Sequence, residues 1–318
     1  MKYRLATAVC AALVMACSTG SPSATPSPSG SSDSTRSASA SRQFVVGGDR
    51  PVTVQVPASH DEGRPAPLLI VLHGYGSTGR DHERYFHLGD ALERRGMISA
   101  YPDGTKDTAG NRFWNGTDAC CDIQRSGVDD SKYLADVMTA IKARVAVDPK
   151  RIYVMGHSNG AFMSYRMACD HADVVAAIVS LAGATFAHAA DCHPATAVSV
   201  LEIHGTTDEA IAYDGGSVSL PGSTKPSPPY PGAKQTVKTW ATYDGCNPAA
   251  KRSPRHVDVD ADLPYVGAPA EATIDTWSGC RNGAAVELWM MPEGVHAPKI
   301  SNAFPGAVLD FLLAHPKP

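Results

Sequence analysis

Apolar positions along this chain follow two rhythms. Val52 to Val56 alternates apolar with polar residues, as a half-exposed edge strand does. Leu68 to Leu72, Arg151 to Met155, Ala176 to Leu181, Val198 to Ile203 and Ala285 to Met291 are instead short, largely continuous apolar runs. Runs of that kind fit strands covered on both faces, as in a parallel sheet. The other rhythm is helical. From Ser131 to Val145 the apolar residues Leu134, Val137, Met138, Ile141 and Val145 recur at helical spacing. Asp129 and Asp130 precede that helix as cap and dipole partners. Asp148-Pro149 separates it from the next strand, and Ala161 to Ala168 is a second helix-forming run. Strands alternating with helices predict a mostly parallel α/β sheet with helices on both faces, in one domain from residue 43 to 318. Residues 209 to 235 break the alternation. Pro221, Pro226, Pro228, Pro229 and Pro231 make a long excursion there, expected either to border a substrate cleft or to be a surface insertion.

The N-terminal end follows neither rhythm. Lys2 and Arg4 precede a short apolar run, Leu5 to Ala16, which has the form of an export signal and is too short to span a bilayer. It ends in Leu13-Val14-Met15-Ala16-Cys17, similar to a bacterial lipobox. Residues 1–17 are therefore expected to be a lipoprotein signal, with Cys17 as the lipid acceptor and anchor to the cell envelope. The competing expectation is a plain secretory signal. Residues 18–42 are almost all Ser, Pro, Thr, Ala and Gly, a composition that buries no core and makes a tether.

Composition adds limits. The 318 residues are 43% hydrophobic and 19% charged, with a formal net charge of −4. That supplies a substantial core and argues against a nucleic-acid partner, which demands a basic face. Apart from Cys10 and Cys17, the chain's eight cysteines leave six: Cys120, Cys121, Cys169, Cys192, Cys246 and Cys280. An even number in an exported chain implies disulfides. Spacing leaves their connectivity open. The pairing taken as an expectation is Cys246–Cys280, Cys169–Cys192 and Cys120–Cys121. No Cys-x-x-Cys pair argues for zinc, so no metal or other cofactor is expected.

The chemistry concentrates at Gly156-His157-Ser158-Asn159-Gly160. The Gly-x-Ser-x-Gly pattern gains meaning from its flanks, a strand run before it and a helix run after it. Such an elbow tolerates only small neighbours and sets the serine at a helix N-terminus, where free N–H groups favour an oxyanion. Ser158 is thus the candidate nucleophile. A serine hydroxyl needs a base, and the base needs an orienting carboxylate. Asp208 lies just past the run Val198 to Ile203 and is preferred to its neighbour Glu209. His296 follows the last strand run and is the candidate base, His315 being at the chain end. The N–H groups of Asn159 and Tyr75 are the expected oxyanion donors. His73, His157 and His204 are expected to be structural, with His157 pointing away from the chemistry.

With these pieces placed, the chain resembles the polyhydroxybutyrate depolymerase and feruloyl esterase family of α/β-hydrolases over about residues 50 to 313. The resemblance rests on Leu72-His73-Gly74, Trp114-Asn115-Gly116 with Cys120-Cys121, the Ser158 elbow, His204-Gly205-Thr206-x-Asp208, Asp244-Gly245-Cys246, Trp277-x-x-Cys280 and His296. It implies an α/β-hydrolase fold and a Ser158, Asp208, His296 triad acting on a small-molecule or polymeric ester. The tethered form is similar to bacterial esterase lipoproteins. The chain departs from the family at Glu293-Gly294-Val295-His296-Ala297-Pro298, where a glycine run usually precedes the histidine and Thr-Trp-Pro follows it. Other readings of the same residues are a serine peptidase, an envelope-lipid acyltransferase, or a non-catalytic surface binding protein.

Overall fold

The computed structural model describes residues 42–219, 226–263 and 270–318. The expected signal with Cys17, and all of the tether except Arg42, lie outside these residues. From Arg42 the chain runs through β1 (Arg42–Val46), β2 (Val52–Val56), β3 (Ala66–Leu72), α1 (Gly79–Phe86), α2 (Gly89–Arg95), β4 (Ile98–Ala100), β5 (Thr105–Lys106) and β6 (Arg112–Phe113). Next come α3 (Asp130–Lys142), β7 (Val147–His157), α4 (Asn159–Asp170), β8 (Ala177–Leu181), β9 (Ser199–Gly205), β10 (Gly215–Ser217) and β11 (Pro229–Pro231). The last elements are α5 (Ala233–Tyr243), β12 (Lys251–Val257), β13 (Ala272–Trp277), β14 (Val286–Met291) and α6 (Phe304–Ala314).

Ten strands form one sheet in the order β1-β2-β4-β3-β7-β8-β9-β14-β13-β12. The six strands from β4 to β14 are mutually parallel. Antiparallel pairs close the two edges. The continuous runs are the parallel strands because both of their faces are covered. Leu68, Ile70 and Leu72 of β3 join Ile152 and Val154 of β7 in one core with α3, α4 and α5. Leu69 and Val71 join Tyr153 and Met155 in the other core, with α1, α2 and α6. Adjacent residues of a strand point to opposite faces, so one apolar run feeds both cores.

The boundaries differ from the pattern in instructive places. Helix α3 starts at Asp130 and ends at Lys142, before Val145. Its cap is Asp129, whose carboxylate accepts the Lys132 N–H at 2.9 Å. Asp130 is buried and takes the Arg50 guanidinium at 2.5 Å, a tertiary tie rather than a simple cap. Strand β7 begins at Val147, so Asp148-Pro149 lies inside it, next to an exposed stretch where a missing N–H does little harm. Within the excursion 209–235, Gly215–Ser217 pairs with Pro229–Pro231 as a two-stranded ribbon. Pro221 of the excursion falls outside the described residues.

Candidate active site

The parallel strands β7, β9 and β14 all end at the same edge of the sheet, and each delivers one side chain there. Ser158 follows β7 with φ 55 and ψ −122, a left-handed backbone that a serine occupies only when its surroundings enforce it. Its N–H donates to Leu181 O at 2.9 Å, while its carbonyl accepts Ala161 N–H at 2.8 Å and Phe162 N–H at 3.1 Å. The flanking glycines are required by contact. A Cβ on Gly156 would lie 2.1 Å from Gly160 O, and one on Gly160 would lie 2.3 Å from Leu72 O.

The turns after β9 and β14 are laced together. Thr206 N–H donates to Met291 O and Thr207 N–H to Gly294 O, each at 3.0 Å. Thr206 Oγ1 accepts Glu293 N–H, and Thr207 Oγ1 donates to Gly294 O, each at 2.9 Å. Gly205 and Gly294 touch so closely that a Cβ on Gly205 would sit 2.1 Å from Gly294 O. That lacing brings Asp208 and His296 together from points far apart in the chain. His296 Nδ1 lies 2.8 Å from Asp208 Oδ2, and His296 Nε2 lies 2.9 Å from Ser158 Oγ. Asp208 Oδ1 accepts the N–H groups of Ala210 and Ile211 at 2.9 and 2.8 Å. Glu209, the rival carboxylate, is exposed.

Asn159, the residue after Ser158, is clamped through its side chain. Its Oδ1 accepts Trp114 N–H at 2.7 Å and its Nδ2 donates to Trp114 O at 2.8 Å. Trp114 in turn donates its indole N–H to His73 O at 3.0 Å, so Trp114-Asn115-Gly116 braces the elbow against the turn after β3. In that turn Gly74, the residue before Tyr75, packs so that a Cβ there would lie 3.4 Å from the Ser158 Cβ. The Tyr75 hydroxyl donates to Asp107 Oδ2 at 2.5 Å. The cysteines join as Cys120–Cys121, Cys169–Cys192 and Cys246–Cys280. The Cys120–Cys121 pair lies beside Asn159 and packs with Phe162, Ala184, Ile211, Val218 and Tyr230, with Tyr75 at its margin. The described part of the 209–235 excursion therefore borders this site.

Behind these groups lies a buried layer of hydrogen-bonded side chains. His157 does not point away from the chemistry: its Nε2 donates to the backbone carbonyl of His296 at 2.9 Å. Its Nδ1 faces His82 Nε2 at 3.2 Å. Burial, then the charge of His296, holds the His157 ring down to about 4. Burial, then His157, holds His82 down to about 2, so both rings are neutral at neutral pH. On the other side, His204 Nδ1 meets Glu202 Oε1 at 2.8 Å, and its Nε2 meets Ile211 O at 2.8 Å and Asp208 Oδ2 at 3.4 Å. Tyr165 donates to Glu202 Oε2 at 2.8 Å. Burial pushes His204 down, but the Asp208 and Glu202 carboxylates outweigh it and lift the ring to about 10. Burial raises Asp208, yet His204 and His296 together hold it well below the usual carboxylate range. Glu202, a carboxylate inside a fully buried strand, is a further sequence signal for this layer, beside His204, which is buried and hydrogen-bonded as a structural histidine would be. Nothing local marked His82.

Comparison with known proteins agrees with this architecture. The chain is 30% identical over 251 residues to a feruloyl esterase B of Piromyces equi, covering 78% of this chain and 42% of that protein. A putative esterase, NocK, of Nocardia uniformis is 28% identical over 199 residues, 61% of this chain and 56% of its own length. The chain thus spans about half the length of these curated relatives. Among solved structures, an acetyl xylan esterase from Aspergillus awamori superposes with a TM-score of 0.57 at 15% identity, covering 86% of this chain and 99% of that one. That likeness shows the α/β-hydrolase fold. The esterase PHB depolymerase family model matches residues 55–223, more than half of the chain, and the chain belongs to that family.

Proposed function

We propose that this chain is an exported serine carboxylic-ester hydrolase working through an acyl-enzyme. The observation that carries the reading is the hydrogen-bonded line from Ser158 Oγ to His296 Nε2 at 2.9 Å and from His296 Nδ1 to Asp208 Oδ2 at 2.8 Å. In this reading His296 takes the Ser158 proton as the oxygen attacks the ester carbonyl. Asp208, held by two backbone N–H groups, keeps the imidazole in the tautomer that accepts that proton and stabilises its charged form. The N–H groups of Asn159 and Tyr75 take the developing oxyanion. Imidazolium then returns the proton to the leaving alcohol, and a water activated by His296 releases the acid.

Membership of a family named for depolymerases, and the likeness to curated feruloyl and acetylxylan esterases, support a polyester, feruloyl or acetyl ester as the substrate. The signal-like start, Cys17 and the tether support export with a lipid anchor. The test is Ser158→Ala against wild type, using nitrophenyl acetate and a fluorophosphonate probe. Turnover should fall by at least about a thousandfold and labelling should vanish. Turnover or labelling retained near wild type would sink the reading. Methyl ferulate, 3-hydroxybutyrate oligomers and acetylated xylan then rank the substrates.

A further inference from the structure

Glu202 and His204 sit two residues apart on β9 and face the same side of the sheet, beneath α4, where neither reaches solvent. A carboxylate there is costly unless paired and hydrogen-bonded, and here it is both. His204 presents each ring nitrogen to an acceptor: Nδ1 to Glu202 Oε1 at 2.8 Å and Nε2 to Ile211 O at 2.8 Å. A carbonyl accepts only from N–H, so Nε2 carries a proton. Burial raises the Glu202 carboxyl, but the hydrogen bonds from His204 and Tyr165 oppose that rise, and with Glu202 in the carboxylate form Nδ1 carries a proton too. The ring is then an imidazolium, with Nε2 also 3.4 Å from Asp208 Oδ2. That same oxygen receives His296 Nδ1 from the other side at 2.8 Å.

We propose that Glu202 and His204 are positioning residues: a buried ion pair that fixes Asp208 from behind and tempers its pull on His296. The inference rests on the Ser158, His296, Asp208 reading and deepens it. Two imidazole rings share one carboxylate oxygen, and only one of them is free to exchange its proton with substrate. The fixed positive charge on His204 offsets part of the Asp208 field. Without it, Asp208 would hold the His296 proton more tightly, and the base would be blocked up to a higher pH. The charged and titratable groups facing His204 are Glu202 from β9, Asp208 from the following turn, Tyr213 with its ring edge-on at 5.7 Å, and Tyr165 from α4 through Glu202. Those facing His296 are Asp208, Ser158 and His157.

The direction of the effect is fixed by charge. His204→Asn removes a cation near His296, which raises the affinity of His296 for its proton. The acid limb of kcat/KM for nitrophenyl acetate should move to higher pH by about one unit, the size expected for a unit charge a few ångströms away in a partly screened interior. Glu202→Gln removes the anion that keeps the His204 ring charged, so the ring loses its Nδ1 proton and the limb should move the same way by less. KM should stay within about twofold, because neither residue touches substrate. A structural role alone would lower kcat evenly at all pH values, and an unmoved acid limb in His204→Asn overturns the proposal. If the variants do not fold, nitrogen-15 shifts of histidine-labelled wild-type protein decide it: both His204 nitrogens should be protonated at pH 7, and a neutral ring refutes the idea. Those shifts do not depend on turnover, whereas failure of the parent reading appears as activity retained in Ser158→Ala.

Discussion

The elbow glycines allow a direct passage from a contact distance to a rate. Gly156 has an ordinary backbone, so an alanine there is barred by its Cβ alone. That atom would stand 2.1 Å from Gly160 O, 2.2 Å from Gly160 C and 2.7 Å from Ala161 N. All three are backbone atoms of the first turn of α4, so no side chain can swing aside. Ordinary contact begins near 3.4 Å, so the Gly160 carbonyl must retreat by about 3.4 − 2.1 = 1.3 Å. That turn also carries Ser158 and Asn159, so the shift is imposed on the proposed nucleophile and on one proposed oxyanion donor together. Misplacement by about 1 Å costs on the order of a hundredfold in rate, and overpacking of this kind costs about 1–3 kcal/mol of stability. Gly156→Ala should therefore lose roughly a hundredfold in kcat on nitrophenyl acetate and melt about 2–4 °C lower per kcal/mol lost. Gly89→Ala is the matched control. It sits in α2 with nothing within 4 Å of the added Cβ, so it should keep full activity and gain up to about 1 kcal/mol. A Gly156→Ala protein with wild-type kcat and melting temperature would refute the account of why the glycine is there.

Two further outcomes test other parts of the molecule. Asp244 is fully buried at the end of α5, with Oδ1 accepting Val198 N–H at 3.2 Å and Oδ2 accepting no bond among the described residues. Burial pushes its carboxyl up to about 7 from 3.8, so between those values the folded chain holds a proton that the unfolded chain has released, and stability falls as pH rises through that window. Asp244→Asn should gain roughly 2–4 kcal/mol on wild type in urea melts as pH goes from 4 to 8; parallel curves would contradict this. At the other end, Cys17→Ser should abolish incorporation of a clickable fatty acid and release the protein from membranes, while persistent labelling would rule out Cys17 as the lipid acceptor.

What the sequence disclosed and what it withheld divide along physical lines. Five of the six parallel strands are legible because burial on both faces leaves a continuous apolar run, as in Ala66–Leu72, whereas β4 is only the three residues Ile98–Ala100 and leaves no such run. Edge strands lack that constraint. Lys251–Val257 reads Lys-Arg-Ser-Pro-Arg-His-Val, exposed along most of its length with a proline in the middle, and only its pairing with β13 makes it a strand. The site divides the same way. Ser158 is marked because its turn admits no Cβ on either flank, and that steric demand is written locally as Gly-x-Ser-x-Gly. Asp208 and His296 are marked by position after strands. The layer behind them has no such local signature, since a histidine 75 residues away from His157 becomes its hydrogen-bond neighbour only once α1 is folded against β7. The direction of the His157 ring is not legible locally, because it depends on that partner and on the His296 carbonyl, neither of which is near in sequence. Glu202 is the intermediate case. A carboxyl in a strand with no exposed face needs a proton, a cation or hydrogen-bond donors, and on a strand the nearest position facing the same side is two residues on, where His204 stands.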